Sequence, residues 1–143
     1  MPDKYFVDTN VLLYRYVNQD EQKRRIVARL LKSGECVISI QVINEFCNVV
    51  RRKFPAQFAR IDMGLQEIRA TLRIETLQWE DSMTAVQISQ RYQIAYYDAL
   101  ILACARRLQC QAVLSEDMQH GLVLDGRLTI VNPFLLGGND AAV

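Results

Sequence analysis

Five short apolar runs, separated by segments of helical period, set the architecture open to this chain. They fall at residues 4–8, 36–39, 74–77, 112–115 and 128–131 and are rich in Val and Ile. They are apolar on both faces rather than alternating, which reads as strands buried on both sides. Between them lie the predicted helices. Residues 10–16 place Leu12, Leu13 and Tyr16 inward, and residues 20–33 place Ile26, Val27, Leu30 and Leu31 on one face, with Gly34 as the stop. Ser39 is placed to cap a helix over 40–53 that carries Val42, Ile43, Phe46, Val49 and Val50. Pro55 suits the start of a further helix running to about Leu72. Residues 80–91 follow, with Glu80 and Asp81 in the first turn, and then 97–109, almost wholly apolar. Strands alternating with helices predict an α/β fold: three layers, α/β/α, around a parallel five-stranded sheet. With 143 residues there is room for one ordinary domain, placed at 1–136, and a loose tail, GGNDAAV, at 137–143.

Half of the residues are hydrophobic, so the chain is expected to fold. The net charge of +1 gives no global attraction to polyanions, so any such site must come from local clustering. The four cysteines form no C-x-x-C pair and His120 is the single histidine, which argues against a structural zinc site. Cys36, Cys47, Cys104 and Cys110 read instead as small apolar side chains in a reducing compartment. The longest apolar run, ALILACA at 99–105, is far short of the roughly 20 residues a membrane span needs. No signal peptide is visible, and the expectation is a cytoplasmic protein with no membrane partner.

Four carboxylates fit poorly with solvated helix faces. Asp8 ends the first strand and Asp117 follows the fourth, in VLSED. Ligands of parallel α/β sheets collect beyond the carboxyl ends of the strands, so both are expected at one rim. Asp98 opens the most apolar helix, in YYDALILACA, where an ordinary first-turn Asp is the alternative reading. Glu45 lies inside an amphipathic helix, and the segment alone leaves a solvent-facing Glu equally open. Four carboxylates meeting at one point cannot all stay ionised without counter-charge. A divalent cation resolves this, since magnesium and manganese take oxygen ligands and need no histidine. The carboxyl groups are then expected to converge within metal-bridging reach.

The stretches FVDTN, NEF, YDALI and LSEDM, in that order, resemble the PIN-domain nucleases, and more closely the VapC toxins of bacterial toxin–antitoxin pairs. The resemblance spans about residues 4–134. It implies Asp8, Glu45, Asp98 and Asp117 as the catalytic acids, with Asp8, Asp98 and Asp117 on the metal. Asn10 would order the site, and Ser115 matches the Thr or Ser that precedes the fourth acid by two. Glu116 stands beside Asp117 as an alternative ligand. His120 is a candidate for proton transfer or substrate contact, against an incidental loop position. The implied activity is Mg2+- or Mn2+-dependent endoribonuclease cleavage, with a metal-activated water attacking the phosphodiester. The implied partners are the RNA substrate, a second copy in a homodimer, and a VapB-like antitoxin laid into a groove formed by helices one to four.

Basic residues cluster as Lys23-Arg24-Arg25 with Arg29 and Lys32, as Arg51-Arg52-Lys53, and as Arg106-Arg107. Most read as solvated helix faces, and some as a basic rim for phosphate. A HAD-type phosphatase also has an Asp after its first strand, but it needs a second two residues later, where this chain has Asn10. A receiver domain wants paired acids on an early strand and a Lys after its last; neither is evident. The remaining alternative is a catalytically weak PIN-like module that binds RNA or protein; retention of all four acids argues against it.

Overall fold

The computed structural model describes residues 3–17 and 20–135. The predicted tail at 137–143 lies outside the described residues. The chain runs β1 Lys4–Val7, α1 Thr9–Tyr16, α2 Glu21–Ser33, β2 Glu35–Ser39, α3 Ile40–Lys53, α4 Pro55–Phe58, α5 Ile61–Thr71, β3 Arg73–Glu75, α6 Trp79–Tyr92, α7 Tyr96–Arg107, β4 Ala112–Leu114, β5 Val123–Leu124 and β6 Leu128–Val131. Every predicted strand is present, and the strands assemble into one six-stranded sheet in the order β3-β2-β1-β4-β6-β5. All pairings are parallel except β5 with β6.

That order places the site. From β1 the chain steps outward through β2 to β3, then returns to lay β4 on the other side of β1. The gap between the carboxyl ends of β1 and β4 is a topological switch point, where loops leave in opposite directions and open a crevice. Val7 pairs with Leu114, and the Asp8 N–H donates to Leu114 O at 3.0 Å. Asp8 and Ser115 therefore follow the last paired positions of two adjacent central strands.

Burial explains the rigidity of this frame. Phe6, Val7, Val37, Val113 and Leu114 are fully buried in the sheet, and all of α7 from Ala99 to Ala105 is buried. An apolar helix of this kind has to lie against the sheet, so its first turn is held at the sheet's end. Helix α1 packs on α2 and α3, and α6 packs on α7. Among the described residues no helix is long and apolar enough to cross a membrane.

Two details differ from the expectation. The helix read from Pro55 to Leu72 is two helices, broken at Ala59 and Arg60, where Arg60 leaves helical backbone at φ −119° and ψ 22°. Phe58, Ile61, Leu65 and Ile68 all still pack on the core, so the apolar period passes through the break unmarked. The sheet also has a sixth strand, antiparallel and two residues long. Asp125 and Gly126 sit at φ 52° and 68°, and Arg127 N–H donates to Leu124 O at 3.0 Å. Positive φ at both central residues is the hairpin turn that Asp-Gly favours.

Candidate active site

Asp8 caps α1. Its Oδ1 accepts from Thr9 N–H at 2.7 Å, while Oδ2 accepts from Ser115 Oγ at 2.7 Å and from Asn10 Nδ2 at 3.1 Å. The residue is only 5% exposed. Burial pushes its carboxyl up to about 6; the bonds from Ser115 and Thr9 pull down, and the charges of Asp98 and Glu45 push up further. These hydrogen bonds favour the ionised form but do not offset the cost of taking the carboxylate out of water.

Ser115 is fully buried and serves both strands' ends. Its Oγ donates to Asp8 and accepts from the N–H groups of Asp117 and Met118, each at 3.3 Å. Asn10 uses its whole amide: Nδ2 donates to Asp8 Oδ2 and to Asp117 Oδ2 at 3.0 Å, and Oδ1 accepts from Glu116 N–H at 3.0 Å. One side chain thus ties the acid after β1 to the acid after β4.

Glu45 points inward from α3. Its Oε1 accepts from Thr9 Oγ1 at 3.4 Å and from Gln41 Nε2 at 3.2 Å. Burial raises its pKa, those bonds lower it, and the charge of Asp98 raises it. Gln41, one helical turn earlier and almost wholly buried, also donates to Tyr97 O at 3.1 Å, joining α3 to the first turn of α7. That turn carries Asp98, which is half-buried. Burial and the neighbouring Asp117 raise its pKa, and no hydrogen bond or ion pair reaches it among the described residues. Asp98 and Asp117 line a cleft of about 250 Å³ with Tyr92, Ile94 and Met118, and Glu45 lines a separate one of about 400 Å³ with Leu77, Tyr97 and Leu100.

The structure therefore brings Asp8, Asn10, Glu45, Asp98, Ser115 and Asp117 into one electrostatically coupled neighbourhood. It turns Glu116 away, toward Tyr14 and Lys23. The Nδ1 of His120 accepts from Asn132 N–H at 2.9 Å, which occupies one of its ring nitrogens on the loop. Thr9 and Gln41 were not singled out from the sequence. The i, i+4 spacing of Gln41 and Glu45 on one helix was the available signal for the second. Of the basic clusters, Lys23 and Arg107 are in ion pairs with Glu116 and Asp81, while Arg51, Arg52 and Lys53 are exposed in the last turn of α3.

The expected convergence on a cation is looser than the sequence suggested. Among the described residues no three His, Cys, Asp or Glu side chains stand together as a ready metal cage. Like charges keep apart, and Asn10 stands between Asp8 and Asp117. The chemistry of the donor set still fits a hard cation: oxygen acceptors only, with Asp8, Glu45 and Asp98 uncompensated by any basic side chain among the described residues, and coordination that water can complete.

The same fold recurs in solved structures. FitAcB from Neisseria gonorrhoeae superposes with a TM-score of 0.69 at 19% identity, over 92% of this chain and 99% of the other. A toxin–antitoxin complex from Klebsiella pneumoniae gives 0.68 at 21%, over 90% and 97%. VapC20 from Mycobacterium tuberculosis, described as a sarcin-ricin loop cleaving toxin, gives 0.64 at 19%, over 79% and 91%. No curated protein matches the chain significantly in sequence. The PIN domain family matches residues 5–121, which include Asp8, Glu45, Asp98 and Asp117, and the chain belongs to that family.

Proposed function

We propose that this chain is an Mg2+- or Mn2+-dependent endoribonuclease that hydrolyses RNA phosphodiester bonds as the toxin of a toxin–antitoxin pair. One observation carries the reading. Acids from four distant segments meet at one rim, burial and the neighbouring acids raise the proton affinity of Asp8, Glu45 and Asp98, and among the described residues no basic side chain relieves those three. Such an arrangement is costly for folding and useful for holding a cation. The PIN family match and the toxin neighbours support the same reading.

In this reading Asp8, Asp98 and Asp117 would hold the cation, which supplies positive charge to the phosphodiester and to the attacking water. Ser115 and the Thr9 N–H hold Asp8 in one orientation, and Asn10 sets the spacing between Asp8 and Asp117. Glu45, oriented by Thr9 and Gln41, takes the proton of the attacking water; its raised proton affinity suits that role. The fold would be one PIN domain over 1–136, working in the cytoplasm.

Two surfaces support the partner reading. A cleft of about 530 Å³ between α1, α3, α4 and α5, lined by Tyr16, Phe46, Val50, Ile61 and Met63, suits an amphipathic antitoxin helix. Trp79, Met83 and Val86 are exposed at helical spacing along α6, an apolar stripe that a second copy in a homodimer would cover.

The test is cleavage of a mixed pool of structured cellular RNAs by the antitoxin-free chain, with Mg2+ or Mn2+ and with EDTA. Discrete fragments that need metal and vanish in Asp98→Asn are the expected result. Equal cleavage by both proteins would overturn the site. No cleavage by either, together with retained RNA binding, would make the chain a binding module instead.

A further inference from the structure

Asp117 is the most exposed of the four acids, and it sits on the short segment that leaves β4. Such a segment has to be held from outside if its carboxylate is to stay in register. The inner side is held by Asn10 and Ser115, as described. The outer side is held by the residue beside it. Glu116 Oε1 accepts from Tyr14 OH at 2.7 Å, and its Oε2 accepts from Lys23 Nζ. Lys23 Nζ also donates to Tyr14 OH at 3.1 Å and stands 4.8 Å from the centre of the Tyr14 ring and 4.9 Å from that of Phe134. Tyr14 and Phe134 meet edge to face at 5.0 Å.

Four separate parts of the chain meet at this ammonium: α1 through Tyr14, α2 through Lys23, the segment after β4 through Glu116, and the segment after β6 through Phe134. The ion pair is not an ordinary surface one. Both side chains are about 30% exposed or less, the carboxylate has two donors, and the ammonium has two aromatic faces. Consecutive residues then work in opposite directions: Glu116 anchors outward and Asp117 is presented inward.

From this geometry we infer that Lys23, with Tyr14 and Glu116, is a positioning clamp that fixes the register of the β4 exit and so aims Asp117 into the acidic site. The inference rests on the nuclease reading for its purpose, but the clamp itself is a property of the fold. Removing it should loosen Asp117 without touching Asp8, Glu45 or Asp98. Partners that orient a metal ligand from behind change metal affinity by roughly 10- to 100-fold when lost.

Two measurements on the full chain test it, comparing the wild type with Lys23→Met and Lys23→Arg. The first is amide hydrogen exchange at residues 116–118, without added metal. Lys23→Met should lose protection there while β1 and β4 keep theirs, and Lys23→Arg should restore it. The second is Mn2+ titration. Lys23→Met should bind Mn2+ about 10-fold more weakly than the wild type, and Lys23→Arg within about twofold of it. Unchanged exchange at 116–118 in Lys23→Met would overturn the clamp. So would unchanged Mn2+ affinity with only a lowered melting temperature, since that is the signature of a structural staple. If the wild type itself binds no Mn2+, the nuclease reading fails, and the exchange experiment still decides the clamp.

Discussion

Two aspartates open the two helices of one hairpin, and the fold treats them in opposite ways. Asp81 stands in the first turn of α6 and Asp98 in the first turn of α7, and the short link at 93–95 sets them at opposite ends of the pair. Asp81 is 1% exposed but completely compensated. Arg107 Nε and Nη2 reach its two oxygens at 2.8 and 3.0 Å, and Oδ2 also accepts from Gln78 N–H at 2.9 Å in a capping box. Asp98 has no such partner among the described residues, and the charge that acts on it is another acid, Asp117. Asp8, buried as deeply as many core residues, carries the same imbalance. The paired end stabilises the hairpin. The unpaired end keeps acids out of water beside other acids, a cost that protonation or a bound cation would relieve.

The largest effect is expected from making the paired end resemble the unpaired one. Arg107→Met leaves Asp81 buried beside a methionine, and loss of one partner of a buried pair costs about 3–5 kcal/mol. Urea unfolding should show it as a lowered midpoint with an unchanged slope. A shift of under about 1 kcal/mol would mean that Asp81 is less dependent on Arg107 than the geometry implies.

The next effect is the pH dependence of the unpaired end. A carboxyl whose folded pKa is raised takes up a proton more readily folded than unfolded. Folding stability therefore falls as pH rises from the ordinary carboxylate value, about 4, to about 6, and stays lowered above that. For Asp8 the loss is at most about 3 kcal/mol at neutral pH, from about 1.4 kcal/mol per pKa unit. Metal-free protein should melt lower at pH 7 than near pH 5, with Asp8→Asn removing most of the difference. At pH 7 that variant should be more stable than the wild type by up to about 1 kcal/mol, because its amide must still rearrange the bonds from Ser115 and Asn10.

The smallest effect compares the two helix openings directly. Asp98→Asn should change stability by no more than about 0.5 kcal/mol, since no partner is lost, yet remove the proposed RNA cleavage. Asp81→Asn, measured alongside, should cost more in stability and leave the cleavage specificity unchanged. Equal thermal shifts for the two variants would erase the distinction between the two ends.

The sequence carried most of the frame and part of the site. The strands were legible because Val- and Ile-rich runs such as Val37-Ile38 and Val113-Leu114 must be covered on both faces. Strand β5 was not, since two residues leave no pattern, although Asp125-Gly126 was there as a hairpin signal. Asp8 and Asp117 were placed by the rule that ligands gather beyond strand ends. Asp81 and Asp98 give the same local signal, an acid in a first helical turn. What separates them is Arg107, 26 residues from Asp81, and a contact at that range has no local signature. Arg106-Arg107 therefore read as part of a basic cluster, when Arg107 is an internal partner. Gln41 was missed for the same reason: its bond to Tyr97 O crosses 56 residues.

The most direct test is the melting temperature of the purified wild type and of Asp8→Asn at pH 7, each with Mn2+ and with EDTA. If the unpaired acids are built to receive a divalent cation, Mn2+ should raise the wild-type melting temperature clearly and leave the variant nearly unmoved, because a ligand bound only by the folded state stabilises it. An equal rise in both proteins, or none in the wild type, would contradict the account.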